Sequence, residues 1–257
     1  MNSSPPDPVS TGRRVLVAGG TGAIGRQLAP LLVAQGHNVT VLSRRASAAP
    51  ILGAHAVQAD VLDAGAVLAA VEAAAPDAVV GLTTAIPQQL DPRRMDQVMA
   101  ATNALRTTGT LNLIRAAEAV GARQLVGESL AYAYDPDGPV ACDEDDPLWR
   151  RPPPRYRSTV TALIDHEAAL RAAGGAVLRF GHLYGPGTDY AAGGSAAQQV
   201  RTRRFPVVGR GSGIFSFVHV RDAARAVAAH LQTGGPSVLN VVDDKPWRNG
   251  SPCTRAC

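Results

Sequence analysis

Three glycines at three-residue spacing, Gly19, Gly22 and Gly25, stand in the run Val17-Ala18-Gly19-Gly20-Thr21-Gly22-Ala23-Ile24-Gly25. A short apolar run, Val15–Ala18, precedes them, and a stretch with apolar residues at helical spacing, Ile24–Ala34, follows. Such a turn serves anion binding. The chain must reverse tightly between strand and helix, its backbone must approach a pyrophosphate, and the helix must pack close to the strand; residues without a Cβ permit all three. The helix start adds unpaired N–H groups and a partial positive charge. Gly19, Thr21, Gly22, Ala23, Ile24 and Gly25 are therefore the expected contacts to a dinucleotide.

A second apolar run ends in Val41-Leu42-Ser43-Arg44-Arg45. A ribose 2′-hydroxyl is met at this point by Asp or Glu, and no carboxylate is present. Ser43, Arg44 and Arg45 suit a 2′-phosphate instead, because guanidinium groups make forked, charge-assisted bonds to phosphate. The expected cofactor is NADP, with NAD the weaker alternative. Asp60 and Val61, after a third run, would lie beside the adenine, although Asp60 equally suits a helix N-terminus. Thr83, followed by Thr84, ends a fourth run where the backbone would pass the cofactor ribose.

The elements that must position these residues alternate. Apolar runs at Val39–Leu42, His55–Ala59, Ala78–Leu82, Gln124–Val126 and Ala176–Phe180 are separated by helical patterns at Ala64–Ala75, Asn103–Val120 and Thr159–Ala173. This alternation predicts an α/β fold, a doubly wound parallel Rossmann sheet with a small, truncated C-terminal substrate subdomain. The expected organisation is a disordered lead-in over 1–12, an NAD(P)-binding domain over 13–180, and a partial substrate-binding region over 181–242. That region holds a strand at Phe215–Val220, a helix at Asp222–Leu231 and a strand at Val238–Val242, returning to the core. An irregular tail covers 243–257, where all pattern is lost; a truncated or frame-shifted end is one reading of that loss.

Composition narrows the class. The chain has 257 residues, 46% of them apolar and 18% charged, with a net charge of +4, as in globular proteins. No apolar stretch is long enough to span a bilayer, and the first residues lack the apolar region of a secretory signal. Cys142, Cys253 and Cys257 are odd in number and have no metal-ligand spacing with His, so a reducing cytoplasm is expected and no metal. All but one of the 25 basic residues are Arg, spread along the chain, so neither a nucleic-acid nor a membrane partner is expected.

The ordered set of motifs resembles the extended short-chain dehydrogenase/reductase superfamily, the NAD-dependent epimerase/dehydratase group. The resemblance runs from about Arg13 to Asp244. It rests on Gly19–Gly25, Asp60-Val61, Asn103 with Gly109–Leu113, Leu178–Gly187 and Phe217–Asp222. It implies a nicotinamide dinucleotide, a C-terminal region holding a small-molecule substrate such as a nucleotide sugar, and a homodimer.

It also implies a Ser or Thr after the fifth strand and a Tyr-x-x-x-Lys pair on the next helix, in which Lys lowers the Tyr pKa and Tyr moves a proton. Ser129 matches the first. The pair is missing: Tyr132, Tyr134, Tyr156, Tyr184 and Tyr190 are followed four residues later by Pro136, Gly138, Val160, Thr188 and Gly194. The pair's positions fall near Thr159 and Leu163. The catalytic candidates are then Ser129, to polarise the substrate oxygen, and Tyr156 or His182 as proton source. Tyr132 and Tyr134 are alternatives for lining the pocket, and His219 and Asp222 are read as structural. Arg201, Arg203, Arg204 and Arg210 are read either as substrate-phosphate ligands or as a solvated cluster. The expected function is an NADP-dependent oxidoreductase or epimerase/dehydratase-like enzyme acting on a carbonyl or hydroxyl of a small molecule. The alternative is a cofactor-binding sensor without turnover.

Overall fold

Valine-rich runs with no polar alternation bury on both faces, which is what a parallel sheet between helix layers demands. A computed structural model describes residues 12–45, 51–87, 91, 93–203 and 214–248. In chain order the first half contains β1 (Arg14–Ala18), α1 (Gly25–Ala34), β2 (Asn38–Ser43), β3 (Ala54–Gln58), α2 (Ala64–Ala74) and β4 (Ala78–Gly81). It continues with α3 (Met95–Val98), α4 (Ala100–Ala104), a π-helical turn (Leu105–Gly109), α5 (Thr110–Ala119) and β5 (Gln124–Leu130). The second half contains α6 (Pro154–Ala172), β6 (Ala176–Phe180), β7 (His182–Tyr184), α7 (Ser195–Arg201), β8 (Ile214–Phe215) and β9 (Phe217–His219). It closes with α8 (Val220–Thr233), β10 (Val238–Val241) and β11 (Trp247–Arg248).

Seven strands form one sheet in the order β10-β6-β5-β4-β1-β2-β3, each neighbouring pair parallel. The doubly wound expectation holds. Alternate side chains of β1 serve the two faces: Val15 and Val17 pack with Leu28 and Leu32 of α1 and Val227 and Leu231 of α8. Leu16 and Ala18 pack with Val67 and Val71 of α2 and Leu113 of α5. Each such Val or Leu contributes roughly 1.5–3 kcal/mol of burial. The strand order reverses between β1 and β4, and there the carboxyl ends of the strands leave a crevice.

Several boundaries differ from the sequence reading. The helix read from Asn103 begins at Ala100 and contains the π-helical turn, a feature frequent at functional sites. The helix read from Thr159 begins at Pro154, because proline in a first helical turn gives up an N–H that needs no partner. The strand read over Phe215–Val220 is divided into β8 and β9. β11 pairs antiparallel with β8, so two residues of the stretch read as an irregular tail are strand. Residues 1–11 of the lead-in and residues 249–257 of the tail lie outside the described residues. Among the described residues, no helix is long and apolar enough to cross a membrane.

Candidate active site

The crevice at the switch point is a cleft of about 1360 Å³. At one end stands the glycine turn. A Cβ on Gly19, whose φ is +83°, would sit 2.6 Å from the Leu82 carbonyl oxygen, and one on Gly20 would sit 2.6 Å from Cγ1 of Val41. The backbone therefore passes too close to its neighbours for any side chain. Ile24 provides no side-chain cap to α1; the amides of Arg26 and Gln27 already donate to the carbonyls of Gly22 and Ile24, at 3.0 and 2.9 Å, so what this end offers an anion is the dipole of the helix start and the backbone of the glycine turn before it. Thr21, Gly22, Ala23, Ile24 and Gly25 line this end, as do Arg26, Ser43, Arg44 and Arg45. The Ser43 hydroxyl accepts from the Arg45 amide at 3.2 Å and lies 3.5 Å from Oγ1 of Thr21, which fixes the turn that carries both arginines. Val61, Thr83 and Thr84 also border the cleft. Asp60 is turned to its own backbone, where its carboxylate accepts from the Leu62 amide at 3.0 Å. A bare-glycine turn, an uncapped helix start and a rim of guanidinium groups fit a dinucleotide.

At the other end, β5 delivers two successive polar residues, and strand alternation sends them to different places. Ser129 borders the cleft but is fully buried, and its hydroxyl donates to Oε1 of Glu167 in α6 at 2.5 Å. Glu167 is in turn held by Arg179, at 3.0 and 2.7 Å, and Arg179 reaches the Tyr134 hydroxyl at 2.9 Å. Ser129 is thus tied into the α6–β6 packing. The neighbouring Glu128, which the sequence reading did not single out, also lines the cleft. Its carboxylate accepts from Nε of Arg106 at 3.1 Å and from Nη2 at 3.4 Å. Arg106 comes from the π-helical turn, and its side chain is wholly enclosed. The parity of β5 was the available signal: Gly127 and Ser129 share the side facing α6, where a Cβ on Gly127 would meet Leu170.

Tyr132 and His182 stack face to face, with centroids 4.0 Å apart and planes 10° apart. Tyr190, Phe215 and Phe217 surround the imidazole at 5.5 to 6.1 Å. Burial among these rings pushes His182 down to about 4, so it is neutral through the physiological range. Tyr132 is raised above its ordinary value by burial first, with smaller influences from Arg106, Glu128 and Tyr190, although 44% of the residue still faces the open cleft. Tyr134 leaves the cleft and donates to Asn240 at 2.7 Å.

Tyr156 is not brought to the site. It lies in the first turn of α6, tilted against Trp149 at 5.7 Å, and is absent from the cleft wall. The early start of α6 explains this, since it puts Tyr156 beside the loop that precedes the helix. Of the two positions read for the acid–base pair, Thr159 lies 3.5 Å from the Asn103 amide and Leu163 is 2% exposed in the core. His219 caps α8 by accepting from the Arg221 amide, and Asp222 pairs with Arg225. Arg201 donates to the Ala192 carbonyl and, like Arg203, stands outside the cleft wall; Arg204 and Arg210 lie outside the described residues.

Residues 15–241 match the profile of the NAD dependent epimerase/dehydratase family. The chain belongs to that family. A 3-diazoavenalumate denitrifying reductase from a Streptomyces species is 45% identical over 236 residues, covering 91% of this chain and 77% of the relative. Among solved structures, the Bordetella bronchiseptica enzyme WbmG in complex with NAD and UDP aligns with a TM-score of 0.74 at 22% identity, over 93% of this chain and 75% of that one. The Thermus thermophilus UDP-glucose 4-epimerase complex with NAD aligns at 0.69 and 25% identity, over 91% and 79%. Membership carries the Rossmann fold and a nicotinamide dinucleotide, and makes this chain one of a family of enzymes acting on small molecules.

Proposed function

We propose that this enzyme is an NADPH-dependent reductase that delivers hydride to a carbon bearing a diazonium group and releases dinitrogen. The observation that carries the reading is a cleft with a complete dinucleotide cradle but no acid–base pair, Thr159 and Leu163 standing where the pair is expected. The denitrifying reductase relative supplies the reaction class. Reduction of a carbonyl needs a hydride on carbon and a proton on oxygen, so it needs a proton donor. The bound cofactor supplies a hydride, whose electron pair makes a new C–H bond while the C–N bond of a diazonium breaks with its pair moving to nitrogen, so that dinitrogen leaves, the carbon is reduced and the dinucleotide is oxidised. That balance consumes no proton, and a site without Tyr and Lys suits it.

The chain's own residues then bind and orient. Gly19–Gly25 cradle the pyrophosphate, and Arg44 and Arg45 take the 2′-phosphate that favours NADP over NAD. Tyr132 and His182 wall the reacting end, with His182 neutral and moving no proton. Ser129 acts through Glu167 and the strand rather than on a substrate oxygen.

The reading predicts NADPH oxidation above the protein-free background with arenediazonium salts, matched one for one by dinitrogen. It predicts no oxidation with a panel of aldehydes and ketones. Turnover of carbonyls alone, or NADPH consumed without dinitrogen, would overturn it. Replacing Arg44 and Arg45 together by Ala should raise the KM for NADPH at least tenfold and leave that for NADH within about twofold; equal effects on both would refute the 2′-phosphate role.

A further inference from the structure

The charges around the cleft are segregated. Arg26, Arg44 and Arg45 stand at the glycine turn. At the opposite end the charged side chains are carboxylates, Glu128 and Asp189, and among the described lining residues no Arg or Lys stands there. Arg106, the partner of Glu128, has no exposed side-chain surface and is absent from the cleft wall, which Glu128 borders, so the carboxylate is the member of the pair that a ligand would touch, with the Arg106 charge close behind it. One guanidinium nitrogen of Arg106, Nη1, is buried and has no partner among the described residues, so among them Glu128 alone holds the guanidinium. Asp189 accepts from the Ser195 hydroxyl at 3.0 Å, which anchors the second carboxylate.

The same end concentrates aromatic surface. The chain has only eleven Phe, Trp and Tyr residues, yet Tyr132, Tyr184, Tyr190, Phe215 and Phe217 gather on and next to His182. Two of these rings remain open in the cleft, Tyr132 at 44% and Tyr190 at 37% exposure. Open aromatic faces in a concave site are completed by a flat ligand. Their negative π faces attract cations, and the uncharged His182 adds no repulsion. A pyrophosphate-linked sugar would bring its negative charges beside the carboxylates of Glu128 and Asp189, which repels it.

We infer that the substrate end of the cleft selects a planar conjugated cation, the class to which an arenediazonium belongs, and turns away nucleoside diphosphate sugars. The diazonium itself rests on the function proposed above; the preference for flat cations stands apart from it. Calorimetric titration of the NADPH-loaded protein at pH 8 with 1-methylquinolinium, neutral quinoline and UDP-glucose tests it without turnover. The cation should bind at least tenfold tighter than quinoline, and UDP-glucose weaker than either. Glu128→Gln should shrink the cation preference to below about threefold, and Tyr190→Leu should weaken both ring ligands about tenfold with NADPH affinity unchanged. If Glu128→Gln fails to fold, the wild-type ranking and Tyr190→Leu still decide. Quinoline binding as tightly as the cation, or UDP-glucose binding more tightly than both, would overturn the inference. Cation binding with no dinitrogen release from diazonium salts would sink the proposed reaction and leave the selectivity standing.

Discussion

His182 shows how a single side chain reports on the cleft. Its ring is enclosed by Tyr132, Tyr190, Phe215 and Phe217, with no charged group in contact among the described residues. Burial lowers it to about 4 from an ordinary value near 6.5. Above pH 6.5 the imidazole is neutral folded or unfolded and contributes nothing to the pH dependence. As pH falls from 6.5 to 4 the unfolded chain takes up a proton that the folded one refuses, so stability falls, by on the order of 2 kcal/mol after allowing for the ring's partial contact with solvent. Urea titrations of the wild type and His182→Gln across that window should therefore converge toward low pH. Parallel curves would mean that the imidazole is not enclosed as described. Of the residue-level readings, the glycine turn was legible because a bare backbone leaves its mark in residue type. Glu128 was not, because its importance lies in which side of β5 it faces.

At the scale of elements, α6 and β5 decide what chemistry is possible. α6 begins at Pro154, presents Thr159 toward Asn103 and buries Leu163, Glu167 and Leu170 against the sheet. Leu163 therefore packs where the family's lysine is expected. Leu163→Lys would place an ammonium in that core with no carboxylate assigned to it, since Glu167 is already engaged by Arg179 and Ser129. The expected cost is about 3 kcal/mol or more, read as a lowered midpoint in chemical denaturation. A loss within 0.5 kcal/mol would show the position to be open enough for the usual pair. Periodicity located α6 but not its start, because a run of prolines looks like loop until the first helical turn is seen to tolerate it. That five-residue difference is what removes Tyr156 from the site.

For the molecule as a whole, the doubly wound parallel sheet was readable from the alternation of valine-rich runs and helices, and the strand order within it places a crevice at the reversal between β1 and β4. Of the far wall of that crevice, His182 and Tyr132 were legible as candidates, but Glu128, Asp189 and Tyr190 were not. Glu128 and Tyr132 come from β5 and the turn after it, His182 from β7, and Asp189 and Tyr190 from the loop between β7 and α7, and no sequence spacing announces that the three segments meet. Their meeting gives a cleft that is basic where a dinucleotide belongs and aromatic and acidic where a substrate belongs, in a chain whose sequence holds no Tyr-x-x-x-Lys pair. In the proposed reaction hydride alone passes to the substrate carbon. The most direct test runs the reaction of an arenediazonium salt twice, with [4-²H]NADPH in ordinary water and with unlabelled NADPH in heavy water, and reads the product by mass spectrometry and NMR. Deuterium at the carbon that carried nitrogen in the first case and none in the second is the predicted result. Solvent deuterium at that carbon, or a product that keeps its nitrogen, would contradict the account.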